Sequence, residues 1–265
     1  MLEQYGFENV CHVSTPMDPN VHLSKSDLPQ TPQEFAVMKD KPYREAIGSL
    51  NYMSLGTHPD IAYVVSVLSH YLDNPKLVHW AAVKWVFAYL AGMVNLALTF
   101  GGMELDLEGY TDVDGSMDED WKAMSGYAFL MDGGAVLWNT KKQEIIALST
   151  TEAEYVATTH AAKEGLWLRT FMNQVFGEVT GPLTLHSDNQ SVITLTRDHQ
   201  YHTHTKHIDI RFHFIQWIVE DGKMKLIYCP TEEMVTDCWK LRKEKPILAK
   251  YNLILDTTVA QQLSG

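Results

Sequence analysis

Four carboxylates stand where a folded chain could aim them at one point. Asp112 ends the run Gly109-Tyr110-Thr111-Asp112, Asp188 ends Leu183-Thr184-Leu185-His186-Ser187-Asp188, Glu154 lies just past a hydroxyl-rich stretch, and Asp237 sits in an acidic segment near the end. Strand ends are where open α/β sheets place their sites. Carboxylates that converge repel one another unless cations lie among them, and an all-oxygen set favours Mg²⁺ or Mn²⁺ over zinc. Two such ions about 3.5–4 Å apart drive in-line displacement at a phosphodiester, one activating water and the other stabilising the leaving oxygen. A plainer account is also open at this point. Strand-end aspartates serve as turn residues, and a glutamate in a first helical turn complements the helix dipole.

The stretch that must position Glu154 runs from Ala147 to Gly165. Its apolar lead, Ile145 to Leu148, gives way to Ser149, Thr150 and Thr151, which suit an N-cap. Glu152 and Glu154 then fall in the first turn of a helix from about Thr151 to Gly177. Upstream, a strand ends in Tyr110-Thr111-Asp112; Gly126 to Leu130 and Ala135 to Trp138 make two more, joined by a turn at Asp132-Gly133-Gly134. Downstream come a strand Leu183 to Asp188, a helix with Val192, Ile193 and Leu195, and a histidine-rich loop. A helix from about Ile208 to Glu220, a strand Met224 to Tyr228 and a short helical segment with Glu232, Glu233 and Asp237 follow. The order βββαβα, then αβα, predicts a mixed α/β sheet.

Before that sheet, residues 42 to 92 read as three helices. Tyr43, Ile47, Leu50 and Tyr52 mark one face of the first, Pro59 sits just inside the second, and the third runs from about Lys76 to Leu90. Earlier still, Pro16, Pro19, Pro29 and Pro32 interrupt any regular pattern. The expected division is an extended N-terminal arm (1–41), a helical segment (42–100), an α/β domain (101–241) and a C-terminal tail (242–265).

With 45% hydrophobic and 20% charged residues in 265, the composition is that of a globular chain with a real core. No run of eighteen apolar residues occurs, and Met1-Leu2-Glu3-Gln4-Tyr5 lacks the features of a secretory leader. An intracellular protein, cytoplasmic or nuclear and without membrane contact, is expected. Cys11, Cys229 and Cys238 are too widely spaced to suggest a zinc site or a disulfide framework. The net charge of −12 argues against a surface built wholly to grip phosphates.

Three segments closely resemble the ribonuclease H domain of copia-type retrotransposon polyproteins: Ala147 to Ala157, Asp188-Asn189-Gln190-Ser191, and Thr205-Lys206-His207-Ile208-Asp209-Ile210-Arg211-Phe212-His213-Phe214-Ile215. Ser14-Thr15-Pro16-Met17, Tyr43 to Tyr52 and Pro59-Asp60-Ile61-Ala62-Tyr63 resemble the region linking that family's reverse transcriptase to its ribonuclease H. The resemblance covers about residues 1 to 237. It implies a ribonuclease H-like fold, a mixed five-stranded sheet flanked by helices and preceded by a small helical unit, and cleavage of the RNA strand of RNA–DNA hybrids with two Mg²⁺ ions or Mn²⁺ in their place.

By the same resemblance the metal ligands fall on Asp112, Glu154, Asp188 and Asp237, with Glu152 as the alternative to Glu154. Asp114, Glu152 and His207 support them, and Asn189, Gln190, Lys206 and Arg211 contact substrate. No Tyr-x-Asp-Asp sequence is present, so DNA synthesis is not expected. Relatives usually carry Arg or Lys where this chain has Trp85, Ala88 and Ala91, and Arg where it has His204 and Gln216. Fewer phosphate contacts imply weaker hybrid binding. A second reading follows, that of a catalytically weak or inactive scaffold binding nucleic acid or a protein, with the helical 76–92 segment, including Trp80, Trp85 and Tyr89, as a partner surface.

Overall fold

The computed structural model describes residues 1–8, 10–18, 20–21, 23–24, 28–101, 106–114, 122–177, 181–197, 206–231, 233–234 and 253–255. The chain divides into two compact units, one of Met1–Thr99 with Cys238–Gly265 and the other of Phe100–Asp237.

The first unit is helical. Its elements are α1 (Leu2–Tyr5), α2 (Pro32–Met38), α3 (Tyr43–Gly56), a 3-10 turn (Pro59–Ile61), α4 (Ala62–Ser69) and α5 (Leu77–Ala91), followed by the short strand β1 (Leu96–Leu98). The stretch 1–41, expected to be an extended arm, thus holds two short helices. Pro32 starts α2 instead of breaking it, because a first-turn residue needs no N–H partner. A capping box completes that start: the Thr31 side chain accepts from the Glu34 amide, and Glu34 accepts from the Thr31 amide. The Lys76 ammonium, 2.7 Å from Glu34, and the Gln30 and Thr31 amides together hold the Glu34 carboxyl down at about 2.

Tyr43, Ile47 and Leu50 of α3 bury themselves against Ile61, Val64, Val65 and Leu68 and against Val83, Val86, Phe87 and Leu90 of α5. Tyr52, expected on the same face of α3, points to solvent. Nine residues past Tyr43, it lies half a turn away from that stripe. The aromatic spacing on α5 serves this unit's interior: the Tyr89 hydroxyl donates to Asp60 Oδ2 at 2.7 Å, the Trp85 indole donates to the Thr15 carbonyl at 2.8 Å, and Trp80 is half-buried against the core.

The second unit is the mixed five-stranded sheet flanked by helices that the resemblance implies. Strands β2 (Glu108–Asp114), β3 (Met124–Met131) and β4 (Gly134–Lys142) form an antiparallel meander. Asp132-Gly133 turns β3 into β4 with both residues at positive φ, 52° and 81°, as a two-residue hairpin requires. Helix α6 (Thr150–Phe176) then crosses back, and β5 (Leu183–Ser187), α7 (Gln190–Arg197), α8 (Lys206–Glu220) and β6 (Met224–Tyr228) complete the unit. The strand order is β4-β3-β2-β5-β6, with β5 parallel to both β2 and β6. The fourth strand therefore pairs with the first, and the ends of β2 and β5 come side by side. Phe129, Leu183, Leu185, Phe212, Ile215 and Met224 fill the core beneath α6 and α8. A last strand, β7 (Leu253–Leu255), pairs antiparallel with β1. Among the described residues no helix is long and apolar enough to cross a membrane.

A candidate metal centre

Asp112 lies two residues from the end of the central strand β2 and is 5% exposed. In the ladder with β3 it stands opposite Gly126, which adds no side chain of its own. Asp188 directly follows β5, the parallel neighbour of β2. Glu154, 9% exposed, sits in the first turns of α6. One carboxylate oxygen from each of Asp112, Glu154 and Asp188 lies within 4.8 Å of the other two. Two parallel strands and one crossing helix, distant in sequence, thus bring three acids together.

The start of α6 explains why Glu154 and Glu152 differ. Ser149 Oγ accepts from the Glu152 amide at 3.1 Å, while Glu152 Oε2 accepts from the Leu148 amide at 2.7 Å. That reciprocal cap occupies Glu152 with the helix terminus. Two residues on, Glu154 turns toward the sheet. Asp188 is held too: its Oδ2 accepts from the Thr231 hydroxyl at 3.0 Å.

Thr231 was not among the residues read from sequence. Its place follows from the parallel pairing of β5 and β6, in which Ser187 stands opposite Tyr228 and the Cys229 amide donates to the Ser187 carbonyl. Chain leaving β6 therefore passes beside chain leaving β5.

The remaining expected residues are placed less centrally. Asp114 is half-buried at the end of β2. Asn189 caps α7, its Oδ1 accepting from the Ser191 and Val192 amides at 2.9 and 3.2 Å, and Gln190 opens that helix. Arg211 is half-buried on α8, electrostatically coupled to His160 and Glu144. Lys206 and His207 open α8, but their side chains lie outside the described residues, as does Asp237 altogether.

The donor set fits a hard divalent ion. It is all carboxylate, with neither cysteine nor histidine in the group. Mg²⁺ held octahedrally at about 2.0–2.1 Å sets its ligand oxygens roughly 3–4 Å apart, inside the 4.8 Å that bounds the three carboxylate oxygens. Withdrawing two carboxylates from water beside a third is costly without a compensating positive charge.

No family model matches the chain. The retrovirus-related Pol polyprotein from transposon TNT 1-94 of Nicotiana tabacum is 42% identical over 238 residues, covering 89% of this chain and 18% of the polyprotein, so the chain spans under a fifth of that relative's length. The secreted RxLR effector protein 161 of Plasmopara viticola is 41% identical over 133 residues, 49% of this chain and 94% of that protein. Among solved structures, the foamy viral protease-reverse transcriptase in complex with an RNA/DNA hybrid aligns with 76% of this chain and 27% of its own, at 12% identity and a TM-score of 0.44. Identity at this level over nearly nine-tenths of the sequence means that the chain belongs to the family of the Pol polyproteins of copia-type retrotransposons, of which it matches one segment.

Proposed function

We propose that the chain hydrolyses the RNA strand of RNA–DNA hybrids as a metal-dependent endonuclease. Asp112, Glu154, Asp188 and Asp237 would hold two Mg²⁺ ions, or Mn²⁺ in their place. The observation that supports this best is the approach of three carboxylate oxygens, from β2, α6 and the end of β5, to within 4.8 Å of one another. When bound, such ions supply a water-derived nucleophile at neutral pH and stabilise charge on the leaving oxygen. The protein's own contribution is placement. Ser149 and Glu152 fix the start of α6 and with it Glu154, Thr231 orients Asp188, and Asn189 caps the helix that follows it. Gln190, Lys206 and Arg211 are the candidate contacts to the hybrid, with RNA distinguished from DNA through its 2′-hydroxyls.

A labelled RNA–DNA hybrid incubated with the full chain and Mg²⁺ or Mn²⁺ tests this. Wild type is expected to release RNA fragments, and Asp188→Asn to lower the rate at least about a hundredfold, the scale on which such electrostatic contributions act. Equal and negligible product from both proteins rejects the enzyme. If that protein still binds the hybrid, the scaffold reading replaces it.

A further inference from the structure

Helix α6 carries more than Glu154. His160, Lys163, Trp167 and Phe171 recur in steps of three and four residues and so form one stripe about 16 Å long. Trp167 is 58% exposed, and its ring stacks on that of Phe171 at 5.9 Å. Helix α8 runs beside α6 in the same direction: Phe212 stacks on Tyr155, Lys163 Nζ stands 5.7 Å from the Phe214 ring centre, and Arg169 donates to the Lys223 carbonyl just past the end of α8. Outward from this pair Trp217 is 54% exposed, with Lys223 Nζ 4.5 Å from its ring centre.

Cations are interleaved with these rings. Lys141 at the end of β4, Lys163 and Arg211 all act on His160, which burial and these three charges together keep below its ordinary pKa. The acids on this side include Glu144, paired with Lys141 at 2.8 Å, and Asp221, paired with Lys223 at 2.6 Å; Glu164 and Glu220 are exposed nearby. Among the described residues no ion pair involves Lys163 or Arg211. In a chain of net charge −12, positive charge and exposed aromatic faces thus coincide on one surface.

Rings exposed to water and flanked by cations suit a ligand that offers both flat faces and phosphates. In a duplex the base faces are already stacked on one another, whereas a single strand leaves them available. We propose that the α6–α8 face is an accessory site for single-stranded nucleic acid, with Trp167, Phe171 and Trp217 stacking on bases and Lys163 holding phosphate. Along α6 the stripe begins six residues, about 9 Å, beyond Glu154 and leads away from it. The site goes beyond the hydrolase reading and requires neither metal nor turnover.

Fluorescence anisotropy of labelled oligothymidylate of about sixteen nucleotides, with the full chain in EDTA, tests the proposal. Wild type is expected to bind at low salt. The double variant Trp167→Ala, Trp217→Ala should weaken binding about tenfold or more, while Trp217→Phe, which keeps a stacking ring, should stay close to wild type. Lys163→Gln should lower the slope of log affinity against log salt by about 0.7, one phosphate contact on a single strand. Asp188→Asn should bind the strand as wild type does, which separates this site from the carboxylates. Absence of wild-type binding, a Trp167→Ala, Trp217→Ala double variant that binds like wild type, or equal affinity for a blunt DNA duplex would each overturn the proposal. So would a dimer that Trp167→Ala dissolves with strand affinity unchanged, because the stripe would then be a self-association surface.

Discussion

Asp188 is the point at which the carboxylate cluster meets solvent, being less buried than Asp112. Unit charges about 5 Å apart at an effective dielectric near 20 repel by roughly 3 kcal/mol, and solvent around Asp188 reduces its share to about 1 kcal/mol. Asp188→Asn removes that repulsion and keeps an oxygen that can accept from Thr231. In EDTA the variant should therefore melt about 2–4 °C above wild type. With Mn²⁺ the order should reverse, because wild type gains the linkage term, about 2.7 kcal/mol at a hundred times Kd, and the variant gains little. Melting curves of both proteins with and without Mn²⁺ decide it; a variant that melts lower in EDTA and shifts equally with metal argues against a repulsive, metal-collecting cluster. At this scale the candidate carboxylates, though not their roles, were legible in the sequence. The acids were visible because each stood at a recognisable boundary, a strand end or a helix start. The separation of Glu152 from Glu154 came from family resemblance, and its physical cause is the hydrogen bond from Leu148 to Glu152. Thr231 was not legible, since nothing local marks a threonine whose partner lies 43 residues away.

The strands of the second unit were readable from alternation and from the Asp132-Gly133 turn, yet their ends ran further than expected. Apolar signal in β4 fades after Trp138, but its ladder with β3 continues through Asn139, Thr140, Lys141 and Lys142. The pairing of β2 with β5 was not readable, because a parallel partner is chosen by the packing of the crossover helix and not by either strand alone. That packing depends on Gly165. A Cβ there would stand 2.5 Å from a Leu183 methyl and 2.7 Å from the Phe129 ring, both fully enclosed in the core. Gly165→Ala gains helix propensity of up to about 1 kcal/mol, but the overlap forces α6 away from the sheet at about 1–3 kcal/mol, so a net loss is expected. Gly48 in α3 has nothing within 4 Å of its would-be Cβ. Gly48→Ala should therefore stabilise its helix by roughly 0.5–1 kcal/mol. Opposite shifts in chemical denaturation midpoints are the expected pair of results; stabilisation by Gly165→Ala would mean that α6 does not press on Phe129 and Leu183.

For the whole chain the net charge of −12 was plain from composition, but its distribution was not. Lys141, Lys163 and Arg211 are scattered over seventy residues of sequence and act on His160 only because the fold brings the end of β4 and the helices α6 and α8 near one another. An excess of negative charge opposes the compact state through self-repulsion, and added salt screens it. Raising NaCl from about 20 to 200 mM shortens the screening length from about 20 Å to about 7 Å, within which most surface charges no longer act on one another. The melting temperature at neutral pH should therefore rise with salt over that range. Nucleic-acid affinity should fall over the same range, because phosphate contacts lose their counterion-release advantage. The opposite signs matter: a general salt effect on folding would carry binding upward with stability, whereas local cations on an acidic body separate the two. A melting temperature that fell with salt would show that attractive pairs such as Lys76 with Glu34, and not the net repulsion, dominate the electrostatics of this chain.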